Sequence, residues 1–422
     1  MRSEGSVKAA FAAVTTLFFA WGFITSLIDP LVAAVKGIFT LSDMEAQLSA
    51  FAFFIAYGVV SFPAAALIAR LRAVPAILLA LGMMVTACLI MLGAANLANY
   101  TLVLVGLFVL ASGITILQVA ANPLAAALGA PEGSHFRLTL SQTFNSFGTF
   151  IGPWLGAVLF LKGVEVKEGT ALTPEVRDAA LAGIDQAYFW ICGLILALFA
   201  FFWFARRTVS AAAPEPAPSQ GVVAMVRDAF SSGWALLGGA AIFLYVGAEV
   251  AIGTQMAFFL NQESVWNVSL EDAGKAVSFY WGGAMVGRAI GSVLLARFPA
   301  ARLLAIFTAI AAGMCLYVVG VGGVSAGYVA LAIGLFNSIM FPVIFTLTLE
   351  RSTASEEATS GLLCTAIIGG AFLPLLVGAV SDKVGYGTAL LVPAACYALL
   401  SLFAIKAGAA PVKRAATAAS AH

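Results

Sequence analysis

Residues 213–218 read Ala213-Pro214-Glu215-Pro216-Ala217-Pro218, and they interrupt a sequence that is strongly apolar on both sides. The surrounding segment, residues 208–222, is too rich in Pro and Ala to pack against other elements, so it predicts a flexible linker. This linker lies at the middle of the 422 residues. A division at the midpoint suggests that the chain consists of two duplicated halves.

The apolar stretches on either side have the composition and length of membrane-spanning helices. Hydrophobic residues make up 62% of the chain and charged residues 10%, whereas a soluble domain has about 25% charged residues. Each span needs roughly 20 apolar residues. We predict twelve spans, with ten or eleven as alternative counts, at residues 9–35, 46–69, 74–94, 100–124, 139–161, 185–205, 234–260, 274–296, 301–320, 324–349, 358–380 and 387–406.

Short similarities relate the two halves. The second span ends with Ala64-Ala65-Ala66-Leu67-Ile68-Ala69-Arg70, and the eighth ends 227 residues later with Gly291-Ser292-Val293-Leu294-Leu295-Ala296-Arg297. A similar offset aligns Gly106-Leu107-Phe108 with Gly334-Leu335-Phe336. The shared offset predicts an all-α membrane protein whose twelve transmembrane helices form two pseudo-symmetric six-helix bundles. The predicted regions are an N-terminal half (1–207), a cytoplasmic linker (208–232), a C-terminal half (233–407) and a cytoplasmic tail (408–422).

The basic residues predict the orientation of the spans. With the N-terminus in the cytoplasm, 14 Lys and Arg residues fall at cytoplasmic ends and 6 at the opposite ends, with Arg288 inside a span. This bias follows the positive-inside rule. We therefore expect a multi-pass protein of the cell inner membrane with both termini cytoplasmic, and we take it to be a monomer in the lipid bilayer.

Composition also argues against several partners and cofactors. A net charge of +1 is not typical of a nucleic-acid-binding protein. The five cysteines lie inside apolar segments without metal-ligand spacing, and the two histidines lie in a loop and at the C-terminus. We therefore expect no metal site and no cofactor, and the cysteines are interpreted as small buried apolar residues.

Polar side chains inside the spans are the candidate functional residues. The ionisable ones are Asp29, Glu249 and Arg288, and an ionised side chain at mid-bilayer costs at least ~2.5 kcal/mol unless it faces water or a partner. The carboxamides are Gln118, Asn122, Gln142, Asn145, Gln255 and Asn337. Hydroxyls of a sugar both donate and accept hydrogen bonds, so they suit such groups. Stacking on the apolar face of the sugar is expected from Trp21, Tyr280 and Trp281.

Each of these residues also has a structural interpretation. Asp29 would cap a helix or form a buried salt bridge, and Glu249 would pair with Arg288. Arg288 is flanked by Gly287 and Gly291, as in tight helix packing, so we expect a structural or gating role for it. The amides would form interhelical hydrogen bonds, and the aromatic residues would pack in the core.

Several stretches that hold these residues are similar to one family. They are Phe18-Phe19-Ala20-Trp21-Gly22-Phe23 running to Asp29, residues 113–123, His135-Phe136-Arg137-Leu138 with residues 142–148, Tyr245-Val246-Gly247-Ala248-Glu249, and residues 336–342. They resemble the fucose/glucose/galactose:proton symporter family of the major facilitator superfamily. The resemblance implies the major facilitator fold and a sugar transporter whose halves rock around a central site.

The same resemblance implies roles for individual residues. Asp29 stands where the family has its proton-linked carboxylate. Fucose-type members have a glutamate where this chain has Gln118. A proton relay of two carboxylates would therefore lack one of its carboxylates in this chain. Gln118 and Glu249 are similar to the glucose/galactose branch, so a hexose of that kind is expected. The asparagine usual beside the aspartate is absent, so a disaccharide or an amino sugar is an alternative.

Three other functions remain as alternatives. Sodium would replace the proton if Asp29, Thr25 and Ser26 supplied oxygen ligands. A sugar or drug exporter would share the fold, although a drug exporter would have a less polar cavity. A membrane enzyme acting on a lipid-linked sugar would need a carboxylate pair or metal cluster in a loop. The acidic residues between spans five and six alternate with Lys and Arg, which is typical of a solvated surface, so we do not expect an enzyme.

Overall fold

A computed structural model describes residues 4–129, 134–162, 164, 172–213, 221–295 and 297–412. Within these ranges every regular element is helical. The α-helices are α1 (Glu4–Ser26), α2 (Ile28–Phe39), α3 (Asp43–Ala46), α4 (Leu48–Leu71), α5 (Ala73–Asn96), α6 (Tyr100–Ala127), α7 (Ser134–Phe160), α8 (Pro174–Ala212), α9 (Val222–Ser231), α10 (Gly233–Asn261), α11 (Leu270–Leu295), α12 (Ala300–Val321), α13 (Gly323–Asn337), α14 (Met340–Leu349), α15 (Glu356–Thr365), α16 (Gly369–Val384), α17 (Tyr386–Ala389) and α18 (Leu391–Ala409). A 3-10 turn, Ala366–Ile368, joins α15 to α16.

Each predicted span coincides with one helix or with consecutive helices, which confirms the all-α membrane fold. Ten helical segments in the described part of the chain are long and apolar enough to cross a membrane. The other two spans, the fifth and eighth, are α7 and α11, with 27 and 26 residues. These two are more polar because α7 contains Gln142 and Asn145, and α11 contains Arg288 and the charged residues of its first turns.

The same helix pairs pack together in both halves. In the first half, span one contacts spans five and six, span two contacts span four, and span three contacts span six. In the second half, span seven contacts spans eleven and twelve, span eight contacts span ten, and span nine contacts span twelve. This repeated pairing is the pseudo-symmetry that the shared offset predicts. Across the halves, α7 packs on α11 and α4 packs on α16.

Three spans are interrupted shortly before a proline, and in the twelfth the break at Leu390 between α17 and α18 precedes Pro393. Pro30 has no N–H to donate to the carbonyl four residues earlier, and the first span breaks at Leu27, between α1 and α2. In the tenth span Pro342 has the same effect, and the break separates α13 from α14. As a result Asp29 lies in the first turn of α2, and Asn337 is the last residue of α13.

The sixth span, α8, is much longer than the membrane is thick. Its 39 residues extend about 58 Å at 1.5 Å per residue, against a hydrocarbon layer of about 30 Å. Trp190 and Phe204 are exposed on its surface, and the Arg206 guanidinium lies 4.1 Å from the Trp203 ring.

The predicted linker and tail are described only in part. Residues 208–212 of the linker end α8, and 222–231 form α9. Residues 214–220 of the linker and 413–422 of the tail lie outside the described ranges.

Candidate functional site

A polar cavity of about 170 Å³ lies between the two halves. The lining residues of α11 are Trp281, Ala284, Met285 and Arg288, whose spacing places them on one face of a helix. The wall is completed by Asn145, Ser146 and Thr149 of α7 and Glu249 of α10. Of the twelve candidate residues predicted within the spans, four line this cavity: Asn145, Glu249, Trp281 and Arg288.

Asp29 is connected to this cavity through Trp281. The indole Nε1 of Trp281 donates to Oδ2 of Asp29 over 2.6 Å, and the two residues belong to different halves. Asp29 is buried, with 5% of its surface exposed. Leu27, not Asp29, occupies the N-cap position of α2, without a side-chain cap bond. The aspartate therefore contacts the opposite half of the protein instead of capping its own helix.

Gly253 of α10 makes room for this contact. A Cβ at this position would lie 3.3 Å from Asp29 Oδ1 and 3.2 Å from Trp281 Cζ2. Glycine therefore allows α10 to approach the carboxylate and the indole at once. Asp29 is enclosed by α2, α10 and α11, which are parts of both halves.

Arg288 forms the second contact between the halves at the cavity. Its Nη1 donates to Oγ of Ser146 on α7. The preceding residue, Gly287, packs against α13 so closely that a Cβ would lie 2.2 Å from the carbonyl oxygen of Leu335. The tight packing that the flanking glycines indicate is therefore present. It holds the guanidinium between the cavity and the first half.

Glu249 is held by two tyrosines. The hydroxyl of Tyr245, one turn earlier on α10, donates to Oε1 over 2.7 Å. The hydroxyl of Tyr280 donates to the Glu249 carbonyl oxygen over 3.0 Å. Because Arg288 lines the same cavity, the site contains a carboxylate and a guanidinium on neighbouring helices. Such a pair can hold a neutral ligand through charge-assisted hydrogen bonds.

Asn337 is fully buried and bonded to two tyrosines, away from the cavity wall. Its Nδ2 donates to the Tyr280 hydroxyl over 2.7 Å, and its Oδ1 accepts from the Tyr397 hydroxyl over 2.8 Å. The predicted interhelical hydrogen bonds of the amides are thus clearest here. Tyr280 has no exposed surface either, so it supports the site from behind.

Replacing Asn337 with Leu should lower the thermal stability of the protein. The buried Tyr397 hydroxyl would lose its acceptor, at about 1–3 kcal/mol for an unsatisfied group. The Tyr280 hydroxyl would lose a donor but keep its hydrogen bond to the Glu249 carbonyl oxygen. Thermal unfolding of the purified protein in detergent measures the loss, with Asn96→Leu on the exposed end of α5 as the control. Unchanged stability together with weaker ligand binding would instead show that Asn337 contacts the ligand.

Of the other predicted residues, the amides Gln118, Asn122, Gln142 and Asn145 and the indole of Trp21 lie within the first half, whereas Gln255 is buried on α10 of the second half. Gln118 donates to the Tyr57 hydroxyl over 2.9 Å. Gln142 donates to Oδ1 of Asn122 at 3.4 Å, a long hydrogen bond. Asn145 donates to the carbonyl oxygen of Phe18 over 3.0 Å. Trp21 is buried against Phe18, with ring centroids 4.1 Å apart.

Sequence reasoning assigned no role to several residues that complete this region. They are Tyr57, Ser146, Thr149, Tyr245, Met285 and Tyr397. Tyr245 has a signal in the sequence, since it lies four residues before Glu249 and the two share one helix face. Tyr57 and Tyr397 have no such signal, because their partners lie on other helices far along the chain.

The predicted sodium ligands occupy the end of α1 beside the break. The hydroxyl of Ser26 donates to the Phe23 carbonyl oxygen over 3.0 Å, and the Thr25 hydroxyl is buried. In the described part of the chain, no group of three or more His, Cys, Asp or Glu side chains has the arrangement of a metal site.

Comparison with known proteins identifies the family. The model of the Major Facilitator Superfamily matches residues 10–361. The chain belongs to the major facilitator superfamily. This superfamily consists of transporters, so membership supports the expectation that the protein is not an enzyme.

Within the superfamily, the chain is similar to named sugar transporters over nearly its whole length. It is 39% identical over 404 residues to the glucose/galactose transporter of Brucella abortus, covering 96% of this chain and 95% of the relative. It is 31% identical to the L-fucose-proton symporter of Escherichia coli, covering 93% and 92%. A crystal structure of the Escherichia coli fucose:proton symporter superposes with a TM-score of 0.70 and 27% identity, covering 95% of this chain and 99% of that one. The resemblance noted in the motifs is confirmed.

Proposed function

We propose that this major facilitator protein takes up a monosaccharide, a glucose- or galactose-like hexose, by proton symport with alternating access. The observation that carries the proposal is the bond from Trp281 to Asp29. It connects a buried carboxylate of one half to the wall of the polar cavity in the other half. The names of the similar glucose/galactose transporter and fucose-proton symporter support both the sugar and the proton.

The cavity suits a neutral ligand rich in hydroxyls. Glu249 offers acceptors and Arg288 offers donors, whereas Asn145 and Thr149 offer both. The indole face of Trp281 provides an apolar surface for the carbon side of a pyranose. A drug exporter is a weaker interpretation, because this wall contains two ionisable groups and an amide.

The charge of Asp29 couples proton movement to sugar transport. A carboxylate buried at mid-membrane is costly when ionised, at least ~2.5 kcal/mol. Protonation from the outside removes this charge and allows the halves to close over the bound sugar. The halves then rock about the cavity, and sugar and proton leave on the other side. The resemblance implies that fucose-type members have a glutamate at the position of Gln118, so we assign the proton to Asp29 without a second carboxylate at that position.

We also propose a location and a topology for the protein in the cell. The distribution of basic residues supports an inner-membrane protein with both termini in the cytoplasm. The halves comprise residues 1–207 and 233–407, joined by the segment 208–232, and the unit of transport is a monomer.

Uptake into proteoliposomes tests the function. With glucose or galactose outside, an inward proton gradient should drive accumulation without sodium, and a sodium gradient should not. Liposomes without protein, and gradients collapsed by an ionophore, are the controls. Accumulation driven only by a sodium gradient would show that sodium, and not the proton, is the coupling ion. Uptake driven only by an acidic interior would indicate an exporter.

A further inference from the structure

The end of the bundle away from the two chain termini is closed by a cluster from both halves. The first half supplies Lys36, near the end of α2, and Asp43, at the start of α3. The second half supplies Ser381 and Asp382 of α16 and Tyr386 of α17. We call these five residues the outer latch.

The carboxylate of Asp43 is the centre of the outer latch. It forms an ion pair with the Lys36 ammonium. Its Oδ1 also accepts from the Tyr386 hydroxyl over 2.6 Å, and its Oδ2 accepts from the Ser381 hydroxyl over 2.9 Å. Lys36 and Asp43 are only 8% and 7% exposed. A buried carboxylate of the first half is thus satisfied in part by the second half.

Further contacts strengthen the connection. Asp382 accepts from the backbone N–H groups of Asp43 over 2.6 Å and of Met44 over 3.0 Å. The Lys36 ammonium donates to the Tyr386 hydroxyl over 2.7 Å. It also lies 4.8 Å from the ring centroid of Phe258 on α10, a cation–π distance. Every one of these contacts joins the first half to the second.

We propose that the outer latch holds the transporter closed on its outer side and sets how often the cavity opens there. The cavity can open at this end only if the halves separate between Asp43 and Tyr386. The name of the end rests on the orientation given under the proposed function. The latch itself rests on the contacts.

The outer latch can open and close again because both charges of its ion pair lie in the same half. Lys36 and Asp43 belong to the same half, so their ion pair survives when the halves separate. Opening breaks the bonds from Tyr386 and Ser381 and those to Asp382, and water replaces them. An ion pair divided between the halves would be broken at each opening, so its attraction would add to the cost of separating them. The latch therefore resists opening moderately and does not prevent it.

Cysteine alkylation measures opening at this end. Ala284→Cys places a thiol in the cavity wall, and a membrane-impermeant maleimide added to right-side-out vesicles reaches it when the outer end opens. The chain without this substitution gives the background from native cysteines. Tyr386→Phe should increase the alkylation rate about tenfold, the order expected for losing one or two hydrogen bonds, and Ser381→Ala should act in the same direction.

The matched control is Tyr317→Phe. The Tyr317 hydroxyl lies 3.1 Å from Ser325 Oγ at the same end of the bundle, but both residues belong to the second half. This change should leave the rate unaltered. An unaltered rate in Tyr386→Phe and Ser381→Ala, or an equal increase in the control, would overturn the proposal. An increase confined to inverted vesicles would support the latch and reverse the orientation. The assay uses neither sugar nor gradient, so its outcome is independent of the transport function.

Discussion

Asp29→Asn should abolish concentrative sugar uptake while sparing downhill exchange. Asparagine is neutral at every pH, so it imitates the protonated aspartate and cannot carry a proton through the cycle. Its Oδ1 can still accept from Trp281, so the contact between the halves persists. A gradient of one pH unit is worth about 1.4 kcal/mol per proton, which gives about tenfold accumulation at one proton per sugar. The variant should reach an internal concentration only about equal to the external one.

The measurement compares gradient-driven uptake with counterflow in the same proteoliposomes. Asp178→Asn, on the exposed start of α8, is the matched control and should retain normal accumulation. If the Asp29 variant still concentrates sugar against its gradient, another group carries the proton. Loss of counterflow as well as accumulation would point to a role in folding or binding.

Glu249→Ala should weaken sugar binding by about tenfold to a hundredfold. A hydrogen bond to a charged group contributes about 1.5–3 kcal/mol, and the alanine removes the acceptors that Glu249 presents at the cavity. The Tyr245 hydroxyl, 2.7 Å from Oε1, also loses this acceptor and keeps only the longer bond of 3.2 Å to the Asn337 carbonyl oxygen. Glu249→Gln retains an acceptor and a similar shape, so its loss of affinity should be smaller. Isothermal titration of the purified protein with hexoses measures both variants.

Two further variants separate binding from structure. Glu263→Ala, exposed in the loop after α10, should bind sugar normally. Tyr245→Phe keeps the carboxylate and should lower affinity less than Glu249→Ala. Normal affinity in Glu249→Ala, accompanied by a lower unfolding temperature, would mean that Glu249 has only a structural role, as the acceptor of the Tyr245 hydroxyl.

The positions of the spans could be predicted from the sequence because lipid imposes a length and a composition on each helix. The predicted tenth span, 324–349, and the α13–α14 pair that forms it differ by one residue at most. Hydropathy alone does not reveal the breaks within spans. They occur shortly before Pro30, Pro342 and Pro393, whereas Pro63 and Pro153 lie within continuous helices.

The contacts between polar residues could not be predicted in the same way. Whether two side chains meet depends on how neighbouring helices are rotated and on how the halves are tilted. Trp281 and Asp29 are 252 positions apart, and no local pattern connects them. Asn337 was expected at the ligand because an amide without hydrogen-bond partners is costly in lipid. In the structure Tyr280 and Tyr397 supply these partners instead of a ligand. The five residues of the outer latch lie near the ends of α2 and α16 and at the starts of the short helices α3 and α17, and they match no motif.

The long helix α8 limits the kind of motion available to the first half. Its aromatic residues, together with the Arg206–Trp203 contact, suit the boundary between hydrocarbon and headgroups, where such side chains resist changes in depth. A helix whose side chains are anchored at that boundary can tilt but resists translation along the membrane normal. An elevator-like displacement of the cargo is therefore disfavoured, and the sugar stays at one height while the walls around it tilt.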